Sequence, residues 1–112
     1  MVRLSGEAAR GLRTAHLLRV NSYLDWAMVS MWAASARADV TLGMAEASVR
    51  GKGPGGADED LLRKLRGLIR ESSEHYADND FPAAMSRVRA SQDLVSIRII
   101  GISEGREQEA SG

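Results

Sequence analysis

The stretch from Tyr23 to Arg50 constrains this chain more than any other. It holds no proline and a single internal glycine, Gly43, so its pattern predicts one long helix. Ala27, Ser30, Ala34, Ala38, Thr41, Ala45 and Ser48 recur at spacings of three and four and stack into one stripe along it. Every member is small, which lets a second helix approach backbone to backbone. The stripe is flanked by Leu24, Met28, Met31, Leu42 and Val49 on one side and by Trp26 and Met44 on the other. Ala34 is its midpoint, so enlarging Ala34 is expected to force helices apart, whereas Ser35 lies at the edge of the polar face.

The rest of the chain supplies partners for that helix. Residues 5 to 20 read as a first helix, capped by Ser5, with a ragged apolar face of Ala8, Leu12, Ala15 and Leu18. Asn21-Ser22 reads as a break, with Ser22 and Asp25 forming a capping box. The competing reading is one continuous helix from 5 to 50. The segment GKGPGG, residues 51 to 56, is the clearest punctuation. Gly51 is placed to end the central helix in a left-handed cap, and the segment reads as a flexible linker. No strand precedes it and no Gly-Lys-Ser/Thr follows, so a phosphate loop is not indicated.

A third helix covers 57 to 78. Asp58 is its expected N-cap, and Leu61, Leu62, Leu65, Leu68, Ile69, Ser72 and Tyr76 form its apolar face. Arg63, Arg66 and Arg70 line the opposite face as possible phosphate contacts, although Glu59 and Glu74 stand four residues away as ordinary helix-surface partners. After the turn 78–80, Asp80 caps a fourth helix with Pro82 in its first turn. That helix carries Ala84, Met85, Val88, Gln92, Val95, Ile99 and Ile102 in a near-heptad seam. Leu94, Ile97 and Ile100 lie outside the seam. Residues 95 to 99 also alternate as a strand would, but no partner strand exists, and helix is the expectation. The fold class is therefore all-α: a small antiparallel three- to four-helix bundle, completed by homodimerisation. One domain spans 1–102, and 103–112 is expected to be a disordered tail.

Composition narrows the function classes. Fifteen basic and fifteen acidic residues balance, leaving no overall field for nucleic acid or an anionic membrane. Without cysteine, thiol nucleophiles and zinc–sulfur sites are excluded. His16 and His75 stand in no metal-ligand motif, and no metal or other cofactor is expected. The N-terminal MVRLSGEAARGLR lacks the apolar core of a signal peptide, and the apolar window 26–36 is short of the ~20 residues that span a bilayer. The expected location is the cytoplasm, with no membrane partner. Trp32 falls on the most charged side of the central helix, where aromatic residues often mark interfaces. Trp32, Leu94, Ile97 and Ile100 are thus the candidate partner-interface residues.

One arrangement resembles a known family. Arg70 and His75 have the spacing R-x4-H. An aspartate-rich turn and a last helix with Ala83, Ala84 and Ala90 follow, and a helix with Tyr23, Ala27 and Met31-Trp32-Ala33-Ala34 precedes. Over residues 8 to 102 this resembles the HEPN superfamily of small, often dimeric helical bundles, many of them ribonucleases of toxin type. The resemblance implies that Arg70 contacts an RNA phosphate and that His75 assists proton transfer at the 2′-hydroxyl. On one helix, however, residues five apart point about 140° apart. The leading expectation is therefore a non-enzymatic helical interaction module acting through homo-oligomerisation or a protein partner. The ribonuclease is the alternative, and a helical subunit of a nucleoprotein assembly is a further one.

Overall fold

The computed structural model describes residues 6–105. Four helices follow one another: α1 (Gly6–Trp32), α2 (Ala38–Arg50), α3 (Glu59–Ala77) and α4 (Phe81–Ser103). No strand occurs among the described residues, and 95–99 is helical as expected. Each helix packs on its neighbours in the chain, and α4 closes the ring on α1. Cross-helix bonds fix the directions. His16 of α1 meets the Ser48 carbonyl near the end of α2. Arg98, near the end of α4, meets Asp58 at the start of α3. At the opposite pole the Tyr76 hydroxyl donates to the Ser35 carbonyl. The result is an up-down-up-down antiparallel bundle.

The core is aliphatic. Leu17, Val20, Leu24, Ala27 and Met31 come from α1, Ala38, Leu42, Ala45 and Val49 from α2, Leu61, Leu62, Leu65 and Ile69 from α3, and Ala84, Val88, Val95 and Ile102 from α4. These repeats at three and four residues are the helical apolar stripes of each element. Two hydroxyls are buried among them: Ser72 Oγ donates to the Ala84 carbonyl at 2.8 Å and Ser91 Oγ to the Arg87 carbonyl at 2.9 Å. The α3 and α4 faces match the expectation. The α1 face does not: Ala8, Leu12, Ala15 and Leu18 are exposed, and the buried stripe begins instead at Leu17.

The central helix is not one helix, and the break is not at Asn21-Ser22. Helix α1 runs through that pair, and Ser22 Oγ donates back to the Leu18 carbonyl at 3.0 Å instead of opening a capping box. The chain turns at 33–37. Ser35 N donates to the Ser30 carbonyl at 2.9 Å and Ala34 N to the Met31 carbonyl at 3.1 Å. Ala34 itself is left-handed at φ 50°. That is a Schellman cap with alanine where glycine is usual. Ala34 is exposed, so the expected overpacking at this position is withdrawn. The small stripe survives in another form: it folds back on itself. Ala27 and Ser30 on α1 and Ala38, Thr41, Ala45 and Ser48 on α2 lie along the α1–α2 seam, where Ser30 and Thr41 line one groove.

Two caps also differ from expectation. Gly51 is extended (φ −90°, ψ −175°), not left-handed. Asp58 is left-handed at φ 63° and makes no side-chain cap bond to α3. Between them, Pro54–Gly56 forms a single 3-10 turn packed on α1, so this connection is a fitted piece and not a loose linker. A Cβ on Gly53 would stand 2.6 Å from the Ala57 carbonyl oxygen. Asp80 caps α4 as expected, accepting from Ala83 N at 3.3 Å. Helix α4 reaches Ser103; Ser5 and the tail from 106 onward lie outside the described residues.

Candidate interaction surface

The exteriors of the helices differ in chemistry. Helix α3 turns Arg63, Lys64, Arg70, Glu71 and Glu74 outward, an ordinary solvated face. The α1–α2 hairpin turns out apolar groups: Trp26, Val29 and Val40 are each more than half exposed, Trp32 is 76% exposed, and Met44 is partly exposed. The Tyr23 and Trp26 rings meet edge to face, 6.0 Å apart. Two pockets are lined by residues of both helices. One, about 320 Å³, is lined by Trp26, Val29, Ser30, Arg37 and Thr41. The other, about 440 Å³, is lined by His16, Arg19, Tyr23, Met44, Ala47, Ser48, Gly51 and Lys52. Single exposed apolar residues are ordinary on a protein surface, and this hairpin carries five.

The four residues expected at a partner interface do not form one patch. Trp32 ends α1 at the pole where α4 begins. Ile97 and Ile100, both exposed, lie near the other end of α4, on the order of 25 Å along its axis from Phe81. Leu94 is half-buried and, with Leu61, Ile97 and Arg98, lines the α3–α4 groove. Trp26, Val29, Val40 and Met44, exposed on the hairpin, are not among the residues expected at an interface. A wheel drawn for one helix from 23 to 50 carries the phase of α1 into α2, and a five-residue turn destroys that phase. Trp26 and Met44 were thereby assigned to the flank of a packed stripe. The spacing Leu18, Ser22, Val29, Ala33 was legible as a second face of α1.

Arg70 and His75 sit on one unbroken helix, Arg70 exposed and His75 half-buried. Their directions diverge by about 140°, so within one chain they do not converge. Glu71 engages Arg87 of α4 at 3.7 Å. The arginine row is also incomplete. Arg66 Nη1 donates to the Val49 carbonyl at 2.8 Å, at the end of α2, and so serves as a C-terminal cap. Arg63 and Arg70 remain at the surface.

The strongest electrostatic feature is a buried clamp. The Asp58 carboxylate is fully buried and takes both Nε (3.2 Å) and Nη2 (2.7 Å) of Arg13 together with Nη1 of Arg98 (2.9 Å). Arg98 also donates to exposed Asp60 at 3.0 Å. Burial alone raises the Asp58 carboxyl, but the hydrogen bonds and charges of Arg13 and Arg98 outweigh it and hold it below the ordinary 3.8. Asp60 is held low mainly by the Arg98 hydrogen bond. Three helices meet in this cluster, and its valences are filled by one another, which makes it a structural tie. His16 Nε2 faces the Ser48 carbonyl at 3.2 Å while its Nδ1 is buried without a partner.

Among the described residues no group of three or more His, Cys, Asp or Glu converges as a metal site, and no helix is long and apolar enough to cross a membrane. Compared with protein-family models, curated proteins and solved structures, the chain matches none of them.

Proposed function

We propose that this chain is a non-enzymatic helical interaction module of the cytoplasm that works by associating with other copies of itself or with a protein partner. The observation that carries this reading is the contrast between exteriors: α3 presents charge to water, while the α1–α2 hairpin presents Trp26, Val29, Trp32, Val40 and Met44. A bundle whose buried faces are already filled has no internal use for those side chains. Aromatic residues of this kind dominate interface energetics when buried. The balanced charge fits association as well, since copies with no net charge do not repel.

Light scattering on the purified full chain over a range of concentrations tests the reading. The expected result is a mass near a multiple of 12.1 kDa that grows with concentration. A species of 12.1 kDa at every concentration, together with no captured protein partner, contradicts it.

A further inference from the structure

Helix α1 is apolar on two opposite sides. Its inner stripe, Leu17 to Met31, is consumed by the core. On the outer side Leu18, Ser22, Trp26, Val29 and Trp32, with Ala33 just past the helix end, are all exposed and fall within a sector of about 120°. Asp25, which falls inside that sector between Trp32 and Leu18, is its one charged residue between 18 and 33. We propose that this outer face of α1 is the seat of a second copy of the same chain, packed antiparallel across a two-fold axis that passes near Trp26. The proposal rests on the interaction-module reading and names its partner and its surface.

Three observations favour a second copy. The first is area. With Trp32 76%, Val29 59%, Trp26 55% and Leu18 51% exposed, and large aromatic side chains burying up to ~250 Å² each, the face offers on the order of 600 Å². A standard interface takes ~800 Å² from each partner, so the face supplies most of one side, with neighbouring groups as its rim. The second is size matching. A two-fold axis between Asp25 and Trp26 sets Leu18 opposite the partner copy's alanine at 33 and Ser22 opposite its valine at 29. Each larger residue thus meets a smaller one, as an isologous interface requires. In the same register Trp26, beside the axis, stands opposite the partner copy's aspartate at 25. The third is charge. The chain carries fifteen charges of each sign, and the face itself holds a single charge, so like meeting like is opposed only by the pair of Asp25 carboxylates beside the axis.

Cysteine cross-linking of the full chain, which has no cysteine of its own, reads this geometry. In the double variant Ser22→Cys/Val29→Cys the two thiols lie on one helix about 10 Å apart along its axis, too far to bridge within a chain. In the antiparallel pair each faces the other's counterpart. Mild oxidation is expected to give a disulfide-linked dimer on a non-reducing gel, and Ser22→Cys alone is expected to give little. In parallel, Trp26→Glu is expected to lower the scattering mass to that of one chain while circular dichroism remains helical, and Ile97→Glu, on α4, is expected to leave it unchanged. An associated wild type that gives no cross-link, or that persists in Trp26→Glu, overturns the proposed face and leaves the module reading standing. A wild type that is monomeric throughout defeats self-association itself.

Discussion

At the scale of residues, three non-glycine positions among the described residues adopt left-handed backbone: Ala34, Asp58 and Asn79. Asn79 is a common choice for a helix C-terminus, and Asp58 is held by two arginines. Ala34 has neither excuse, since its Cβ opposes the conformation by about 1–2 kcal/mol. Ala34→Gly is therefore expected to stabilise the fold by about 1 kcal/mol, read as a raised denaturant midpoint. Ala34→Leu is expected to stay within about 0.5 kcal/mol of wild type, because the site is exposed and the strain is already present. A loss of several kcal/mol in Ala34→Leu would return Ala34 to a packed helix interior. Asp58 gives the opposite case. Removing its buried carboxylate leaves Arg13 and Arg98 facing each other, and Asp58→Ala is expected to cost about 3 kcal/mol. Its depressed folded pKa means that the unfolded chain binds the proton more readily. The stabilisation is thus full above the unfolded value near 3.8 and is lost as pH falls through the lower folded value. Acid titration of stability should show this decline in wild type below about pH 4 and a flatter curve in Asp58→Asn. Parallel curves would mean that the clamp is not formed in solution.

At the scale of elements, the legible parts of the sequence were those with both a periodic face and a chemical stop. Helix α3 shows its leucines at three and four and ends at Asp78-Asn79. Helix α4 opens on Asp80 and Pro82, and its seam of Ala84, Val88, Val95 and Ile102 is buried as expected. The α1–α2 turn was illegible for a physical reason: Ala33-Ala34-Ser35-Ala36-Arg37 contains no glycine or proline, and alanine is the strongest helix former. Tertiary packing won over propensity there. Breaking the helix lets the small residues of both halves pack on each other, which one straight helix cannot do. The clamp was illegible as well, since Arg13, Asp58 and Arg98 are far apart in sequence and Asp58 in isolation looks like a cap. In the connection 51–58 the glycines are also structural. Gly53→Ala would press a Cβ to 2.6 Å from the Ala57 carbonyl oxygen and is expected to cost about 1–3 kcal/mol in a thermal melt. Gly55→Ala would meet no atom within 4 Å, although its φ of 66° carries a strain of its own.

At the scale of the whole molecule, four antiparallel helices enclose an aliphatic core with few aromatic side chains, and both tryptophans stand outside it. A core of this kind is adequate for a chain of 112 residues but leaves a slim margin. Burying the outer face of α1 against a second copy would add to it. In that case association and stability would be one equilibrium, and stability would depend on protein concentration. Urea melts of the full chain at two concentrations a hundredfold apart test this most directly. A higher midpoint is expected in the concentrated sample, the difference approaching about 2.7 kcal/mol per pair if association accompanies folding. Coincident melts at both concentrations would contradict it and would show that the bundle stands alone.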